Sequence, residues 1–486
     1  MTASISKKYH SVERYITQRI SQGSYQVGDK LPSIRELSEQ LAVSKNTVIR
    51  AYQELEAISI ISSLPRSGYV VCQPTQPVSQ PANEPSYVDL MAISKTILKH
   101  PLEQYSMPAG SAHPNTDFPA IRSLYAEIGR HSRYQTTIPC HYQMPPGNET
   151  LVKQLVHINE ELGIITSPNE ILITHGAQQA ISLSLQALTQ PGDIVLVDSP
   201  CYFGTLLLLE SLGLKALEIP TNTTTGIDLV ELSKALKQWA VKAILLNPSY
   251  NNPTGAVMPD SARHALLNLT TGIPIIEDDV FGGLAYQNRP QTLKTLDTEG
   301  RVIYCNSLSK TLDSRLRLGW VLAGKYQHQI EKRLISDNMG SLNLMQSAVG
   351  EFLTTGKYRQ HLNKIRRTYR VNQRDFTTSL TQAFDRCPSL KGQYHLSKPE
   401  GSFLCWLTLP QHADGFVIYQ TALAAGISLL PGKMFSTQGQ YNHCVRFSFA
   451  SFQNNAQWQQ GVTLLAGIIA AHLEGIAHTR KESSAR

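Results

Sequence analysis

The sequence is poor in cysteine and contains no long apolar run. Its seven cysteines are scattered over 486 residues, and no two of them form a Cys-x-x-Cys pair. Zinc sites and a disulfide framework are therefore not expected, and a reducing cytoplasm suits this pattern. The apolar stretch 462–471 is shorter than the roughly 20 residues of a membrane-spanning helix. Residues 2–8 are polar, unlike a secretory signal. We expect a cytoplasmic protein without a membrane partner.

Charge of neither sign dominates. The formal net charge of +7 permits a nucleic-acid partner without requiring one. The length exceeds that of one ordinary compact core, so two or three units are expected. A proline-rich stretch without apolar runs separates them, and at ~3.1 Å per residue it spans on the order of 40 Å. We place a first domain at 1–75, the linker at 76–88, a large domain at 89–475 and a polar tail at 476–486.

Three helices are predicted at the N-terminus. Apolar residues recur at helical spacing over 9–20. Ser33 followed by Glu36 forms a capping box that starts a short second helix. After a turn, Ser44 caps a third helix over 45–56. This order predicts a helix-turn-helix.

The segment after these helices predicts a β-hairpin, with strands at 58–64 and 69–71. If the third helix enters the major groove of DNA, its first turn can reach base edges or phosphates. Residues 1–75 hold nine basic and six acidic side chains, a balance of +3. Charge alone equally fits a small interaction domain with a solvated basic face. The candidate DNA-binding residues are Arg35, Ser44, Lys45, Asn46, Thr47, Arg50, Arg66 and Gly68.

The motifs of this region resemble the winged helix-turn-helix of the GntR family of bacterial regulators. Leu-Pro-Ser-x-Arg-x-Leu stands at 31–37, Val-Ser-x-x-Thr-Val at 43–48 and Arg-x-Gly at 66–68. One departure is the Ile-Ser pair at 58–59, where the family usually turns on glycine. The resemblance implies binding to a double-stranded DNA operator.

From residue 89 onward, short apolar strands alternate with helices. This pattern predicts an α/β fold with a doubly wound parallel sheet, whose ligands bind at the carboxyl ends of the strands. The predicted strands are 171–174, 193–197, 243–246, 273–276 and a run starting at 302.

Polar groups follow several of these strands. Lys310 ends a Ser-x-Ser-Lys turn, where an amine beside hydroxyl groups can hold pyridoxal phosphate (PLP) as a Schiff base. An isolated Ser-Lys pair is otherwise an ordinary surface turn. The small-residue turn at 176–178 opens a helix, which can bind an anion. The acidic run 277–279 can protonate a pyridine nitrogen, bind magnesium, or be a surface cluster.

Together these residues resemble the fold-type I aminotransferases over nearly the whole of 89–474. The resemblance implies a strand at 445–449 and a small C-terminal lobe that includes a helix from 345 and the segment 401–409. The resemblance implies that Lys310 carries PLP as a Schiff base. It further implies that Tyr202 stacks on the ring, that Asn252 bonds the 3-hydroxyl, and that Asp278 pairs with the ring nitrogen. The adjacent Asp279 is the alternative for this last role.

The same resemblance supplies a phosphate site and a carboxylate site. It makes Arg446 the clamp for the carboxylate of an amino-acid ligand. Phe281 departs from the pattern, because aminotransferases usually carry a tyrosine there that tunes the lysine link. Tyr142 matches the tyrosine that reaches the phosphate of the neighbouring subunit. The other residues implied to bind the phosphate are Gly176, Ala177, Gln178, Ser307, Ser309 and Arg317.

The joined halves resemble the MocR group of bacterial regulators. This implies a PLP-dependent transcription factor that senses an amino compound, or PLP itself. It also implies a head-to-tail homodimer with swapped DNA-binding domains. One alternative is a genuine aminotransferase with an appended DNA-binding domain. Another is a cofactor-free scaffold, which would not require Lys310, Asp278 and Arg317.

Overall fold

The protein divides into two compact units, Met1–Val78 and Ser79–Arg486. Some residues of the predicted linker, 76–81 and 83, lie outside the described part of the chain. A computed structural model describes residues 2–21, 25, 29–57, 60–64, 68–71, 82, 84–98, 105–134, 142–222, 226–287, 289–340 and 343–484.

The first unit is a helical domain with a hairpin. Its buried core joins apolar side chains of all three helices to the hairpin residues Ile61 and Val71. Lys30 forms an isolated antiparallel β-bridge with Val70, which extends the pairing of the hairpin beyond its two strands. The elements are α1 Thr2–Ser21, α2 Ile34–Gln40, α3 Lys45–Ala57, β1 Ile61–Leu64 and β2 Gly68–Val71.

The predicted start of α2 is confirmed. Ser33 Oγ accepts from the Glu36 backbone N–H at 3.2 Å, and the Glu36 carboxylate accepts from the Ser33 N–H at 2.7 Å. These reciprocal bonds satisfy two helix-terminal donors. The capping box thus fixes where the helix-turn-helix begins.

The second unit alternates strands and helices as predicted. Its strands are β3 Ser86–Tyr87, β4 Met107–Pro108, β5 Ile171–Thr174, β6 Ile194–Ser199, β7 Lys215–Asn222, β8 Gly226–Ile227, β9 Val241–Leu246, β10 Ile275–Asp278, β11 Val302–Ser307, β12 Gly319–Leu322, β13 His395–Leu396, β14 Leu404–Thr408, β15 Ile427–Ser428, β16 Leu430–Pro431 and β17 Cys444–Ser448. Its helices are α4 Met91–Leu98, α5 Pro119–Arg133, α6 Glu149–Glu161, α7 Ala177–Leu188, α8 Phe203–Ser211, α9 Leu229–Gln238, α10 Asp260–Leu269, α11 Leu293–Leu296, α12 Gln327–Asn338, α13 Asn343–Thr354, α14 Lys357–Asp385, α15 Gly415–Ala424 and α16 Ala456–Ser484.

The main sheet has the order β3-β7-β6-β9-β10-β11-β12-β5. Strands β7, β6, β9, β10 and β11 are parallel. The prediction of a parallel sheet is wrong for β12, which is antiparallel to both β11 and β5. The connection from β11 to β12 is too short for the crossover that a parallel neighbour needs, so the chain turns back.

A smaller sheet, β13-β14-β17-β16, is antiparallel. With α14, α15 and α16 it forms the small lobe. Phe376 of α14 packs its ring against Phe447 of β17 and Trp458 of α16.

Two predicted boundaries differ from the structure. Ser86 and Tyr87, assigned to the linker, form β3 because they pair with Ala216 and Lys215 of β7. Helix α16 continues to Ser484 and includes most of the segment predicted as a polar tail. Among the described residues, no helix combines the length and apolarity that a membrane crossing requires.

Candidate functional site

Lys310 lies just beyond the carboxyl end of β11, a strand whose residues are all buried. Its ammonium Nζ donates to the Ala112 carbonyl at 2.8 Å and lies 5.7 Å from the centre of the Phe281 ring. Burial and the nearby Arg446 lower the pKa of Lys310 to about 8, although Asp278 opposes the shift. A substantial fraction of this amine is therefore neutral near physiological pH.

Two adjacent carboxylates end β10 and differ in their partners. Asp279 is fully buried, forms an ion pair with Arg289 and accepts from the Tyr304 hydroxyl at 2.7 Å. Among the described residues, the Asp278 carboxylate accepts one long hydrogen bond, 3.3 Å, from the Val280 N–H. Burial raises the pKa of Asp278 to about 7, and the charge of Lys310 lowers it in part. The charge of Asp278 thus acts on Lys310, whereas Asp279 is engaged by Arg289 and Tyr304.

Tyr202 and Asn252 follow neighbouring strands and meet the same pocket. Burial and Asp278 raise the pKa of the Tyr202 phenol, while Arg446 and Arg317 lower it. Asn252 Oδ1 accepts from Arg446 Nη1 at 3.3 Å. These two predicted residues therefore lie between the carboxylate end and the arginine end of the site.

An anion cradle lies at the start of α7. Gly176 precedes this helix with φ of +85°, and a Cβ there would lie 3.0 Å from Arg317 Nη2. A Cβ on Gly319 would approach Ala177 N to 2.8 Å. Glycine at these two positions therefore lets the Arg317 guanidinium and β12 lie close against the N-terminus of α7, where a helix can bind an anion.

The remaining predicted phosphate ligands, Gln178, Ser307 and Ser309, differ in which of their groups are already hydrogen-bonded. The Gln178 side chain is engaged, because its Nε2 donates to the Gly204 carbonyl at 2.7 Å; its backbone N–H is the group offered at the helix start. Ser307 Oγ accepts from the Ser309 N–H at 3.3 Å. Helix-start N–H groups, hydroxyls and a guanidinium fit a phosphate ester.

Arg446 is buried, with 1 % of its surface exposed. It lies on β17, donates to the Gly110 carbonyl, and leaves its buried Nε without a hydrogen-bond partner. Burial lowers the pKa of this guanidinium to about 10. Within the described part of the chain, no carboxylate lies within 4.0 Å of it. A buried cation without a counter-charge is costly, and a carboxylate ligand would supply that charge.

Tyr142 is not brought together with this cluster. Its side chain is 72 % exposed. Within one chain it therefore takes no part in the pocket.

The segment 109–113 forms one wall of the site that the sequence analysis missed. The Gly110 and Ala112 carbonyls bind Arg446 and Lys310. His113 bonds Ser314 Oγ through Nδ1 at 2.8 Å, and burial, Lys310 and Arg446 lower its pKa. Backbone carbonyls carry no residue-type pattern, so only the fold reveals them.

Phe281 occupies the place beside Lys310 where a tyrosine was expected. It is 1 % exposed and turns its ring toward the ammonium. The ring fills the space but offers no hydroxyl to the lysine.

In the first unit, some predicted DNA-binding residues are exposed at the start of α3. Lys45, Asn46 and Arg50 are exposed, and the Arg50 guanidinium lies 4.5 Å from the centre of the Tyr9 ring. Arg35 is exposed on α2 and pairs with Glu39 at 3.2 Å.

The other predicted DNA-binding residues shape the backbone. Ser44 Oγ bonds the Thr47 hydroxyl at 2.8 Å and accepts from its N–H at 3.2 Å, and Thr47 is 7 % exposed. Both hydroxyls are thus used to start α3. Gly68 begins β2 with φ of +89°. Arg66 and the Ile-Ser pair at 58–59 lie outside the described residues.

The fold and this site define a class: a winged helix-turn-helix unit joined to a unit of the fold-type I aminotransferase architecture. The chain matches the family model "Aminotransferase class I and II" over residues 109–459 and the model "Bacterial regulatory proteins, gntR family" over residues 8–71. It belongs to the MocR-type HTH transcriptional regulators, as the resemblance predicted.

Similar curated proteins share both units. YjiR, an uncharacterized HTH-type transcriptional regulator of Escherichia coli strain K12, is 34 % identical over 451 residues, which are 91 % of this chain and 95 % of YjiR. YdcR, another such regulator of the same strain, is 33 % identical over 475 residues, 96 % of this chain and all of YdcR.

Similar solved structures cover the second unit. The α-aminoadipate aminotransferase LysN of Thermus thermophilus, complexed with N-(5'-phosphopyridoxyl)-L-leucine, has a TM-score of 0.69 and 25 % identity, covering 81 % of this chain and 97 % of LysN. The kynurenine aminotransferase of Pyrococcus horikoshii has a TM-score of 0.68 and 26 % identity, covering 78 % of this chain and 93 % of that enzyme.

Proposed function

We propose that this regulator binds PLP on Lys310 and senses an amino compound that also carries a carboxylate. The observation that carries the proposal is the pair of cations in one pocket: a lysine with a lowered pKa and a buried arginine without a carboxylate partner among the described residues. A ligand with an amine and a carboxylate complements both.

Each site residue has a role toward the cofactor. PLP, when bound, supplies an electrophilic carbon that amines attack and an electron-withdrawing ring. Lys310 provides the attacking amine, and Asp278 holds a proton at the ring nitrogen. Tyr202 packs against the ring, and Asn252 offers its amide to the 3-hydroxyl.

The phosphate is held at the anion cradle. The backbone N–H groups of Ala177 and Gln178 would point at it, Ser307 and Ser309 would offer hydroxyls, and Arg317 would balance its charge. The Gly176 N–H donates to the Thr174 carbonyl at 2.9 Å, so Gly176 would contribute through its backbone conformation instead. These groups would hold the cofactor at its phosphate, at a place separate from Lys310, so cofactor binding would not depend on the lysine alone.

The ligand carboxylate would take the place of the Gly110 carbonyl at Arg446. LysN supports this arrangement, since it was solved with a phosphopyridoxyl group joined to an amino acid. A ligand that binds one arrangement of the small lobe better than another shifts the population between them. That shift is the signal for the DNA-binding unit.

For DNA, the first turn of α3 would enter the major groove of an operator, with Lys45, Asn46 and Arg50 nearest the bases and phosphates. We propose a cytoplasmic head-to-tail homodimer in which DNA-binding domains are swapped. In it, Tyr142 reaches the phosphate of the partner subunit, which accounts for its exposure in one chain.

The test is a titration of the PLP-loaded protein with a panel of amino acids, amines and carboxylates, followed by absorbance and by DNA affinity. We expect one ligand class with both groups to change the spectrum and the DNA affinity together. DNA affinity that follows PLP occupancy but no amino compound would instead make PLP the signal. A protein that never takes up PLP contradicts the proposal.

Aminotransferase activity is a second candidate, because Lys310, Asp278 and Arg446 are all present in one pocket. Sustained amino-group transfer from an amino acid to a keto acid would favour it. Because Phe281 cannot donate a hydrogen bond to the cofactor, we expect at most slow half-reactions.

The rate of PLP attachment should depend on pH through Lys310. Because only the neutral amine attacks, and its pKa is about 8, the rate should rise about tenfold per pH unit below 8 and level off above it. Stopped-flow absorbance at several pH values measures this. A rise that continues unchanged to pH 10 would mean that the lysine keeps an ordinary pKa.

Lys45→Ala should weaken DNA binding in a salt-dependent way. If Lys45 contacts a phosphate, the slope of log affinity against log salt should fall by about 0.9. Fluorescence anisotropy at several salt concentrations measures the slope. Lys325→Ala, an equal charge change at an exposed site in the second unit, should leave the slope unchanged. If both variants change the slope equally, Lys45 on α3 does not contact the DNA.

A further inference from the structure

The connection between β16 and β17, residues 432–443, touches the pocket directly. The ring of its Phe435 lies 5.7 Å from the Arg446 guanidinium. The Phe435 carbonyl accepts from the Cys201 N–H at 2.8 Å, next to Tyr202. A ligand that moves Arg446 would therefore also move the residues of this connection that contact it.

Two residues further on, the connection is held by a buried carboxylate. Glu218 of β7 is 2 % exposed and accepts from both the N–H and the hydroxyl of Thr437, each at 2.7 Å. Its second oxygen accepts from the Ser199 hydroxyl at 2.7 Å and from Gln440 Nε2 at 3.3 Å.

Neutral donors alone hold this carboxylate. Throughout the described residues, no lysine, arginine or histidine nitrogen lies within 4.0 Å of Glu218. Hydrogen bonds from neutral groups to a charged carboxylate are short and strong. The connection and the central sheet are thus joined firmly at Thr437.

Thr437 also joins the connection to the beginning of the second unit. Its hydroxyl has one proton, which Glu218 accepts, so its oxygen accepts from the Ser86 hydroxyl at 3.3 Å. The neighbouring Gln438 donates through Nε2 to the Glu84 carbonyl at 3.4 Å. Residues 84–87 lie at the end of the predicted linker that leads to the DNA-binding unit.

We propose that Thr437 couples the ligand site to the linker. When a ligand binds at Arg446 and shifts the β16–β17 connection, the hydrogen bond from Ser86 to the Thr437 hydroxyl makes Ser86 shift as well. This inference rests on the proposed function, because it needs a ligand at Arg446. It adds the route by which ligand binding would affect the linker, through hydrogen bonds that join the connection to Ser86.

The test compares Thr437→Val with the wild type in the full-length, PLP-loaded protein. Valine keeps the shape of threonine and the backbone bond to Glu218 but removes the hydroxyl. The probe is aminooxyacetate. Its aminooxy nitrogen replaces the Lys310 amine on the cofactor carbon, which releases Lys310 as a free amine. Its carboxylate can pair with Arg446. Absorbance follows probe uptake, and hydrogen exchange follows peptides covering 84–90 and 435–441.

In the wild type, the probe should change exchange in both peptides. In Thr437→Val, uptake and the change at 435–441 should remain, while the change at 84–90 should fall at least fivefold. Thr421→Val is the matched control, since the Thr421 hydroxyl donates to the Val417 carbonyl within α15, away from the β16–β17 connection; it should behave as wild type. A full response at 84–90 in Thr437→Val, or none in the wild type, overturns the coupling.

Ser86→Ala provides a second variant that leaves the Glu218 bonds intact. It should lose the response at 84–90 to the same extent as Thr437→Val. A retained response in Ser86→Ala overturns the hydroxyl route. If the protein takes up no PLP, or if the probe leaves the spectrum of the PLP-loaded wild type unchanged, the proposed function has failed instead, since the pocket then does not accept an amino compound on the cofactor.

Discussion

Lys310→Ala should eliminate covalent attachment of PLP to the protein. Borohydride reduction of the wild type should leave a phosphopyridoxyl group on the peptide that contains Lys310, and the variant should carry none. The physical reason is that the Lys310 amine has a lowered pKa and lies among the groups suited to the ring and the phosphate. Mass spectrometry of the reduced, digested protein measures the result.

Lys294→Ala is the control for this experiment. Lys294 is also partly buried with a lowered pKa, but its ammonium donates to the Val302 carbonyl at the opposite end of β11. The control should keep full labelling of Lys310. Labelling of another lysine in Lys310→Ala, at wild-type yield, would contradict the assignment.

Arg446→Met should separate ligand binding from stability. A carboxylate ligand loses its buried counter-charge, which costs about 2 kcal/mol or more, so its affinity should fall at least about 30-fold. The ligand-free protein loses a buried cation that has no carboxylate partner in the described structure, but the Gly110 carbonyl and Asn252 Oδ1 lose a donor. These effects oppose each other, so its free energy of unfolding should change little. Absorbance titration and denaturant unfolding measure the two effects.

Amines without a carboxylate are the control ligands for this variant. Their affinity should be the same in Arg446→Met and in the wild type, because they make no ion pair there. Arg263 offers a contrasting substitution, since it is fully buried beside Glu277 at 3.6 Å; Arg263→Met should destabilise the fold. Equal loss of affinity for carboxylates and plain amines would show that Arg446 shapes the pocket in general.

Much of the site followed from local patterns. A strand, a turn and a lysine are consecutive in sequence, so the place of Lys310 at a strand end was predictable. The carboxylate at Asp278 and the arginine on β17 were predicted from family motifs that are also short and contiguous in sequence. The different partners of Asp278 and Asp279 could not be predicted in this way, because the partner of Asp279 is Arg289, ten residues away.

Other features depend on distant pairings that no short pattern encodes. The Gly110 carbonyl meets Arg446 across 336 positions of sequence. The antiparallel β12 is set by the length of one connection, and the β3 pairing by a partner strand more than a hundred residues later. The role of Glu218 was equally hidden, because a lone glutamate in an apolar strand does not indicate which donors will bind it.

The exposure of Tyr142 has a consequence for how cofactor affinity depends on the concentration of the protein. If this tyrosine completes the phosphate site of a partner subunit, cofactor binding and pairing of subunits are linked by mass action. Cofactor affinity then falls when the protein is diluted below its pairing concentration, and added PLP promotes pairing. A regulator built in this way responds to its own abundance as well as to its ligand, and the abundance at which it switches depends on the supply of vitamin B6.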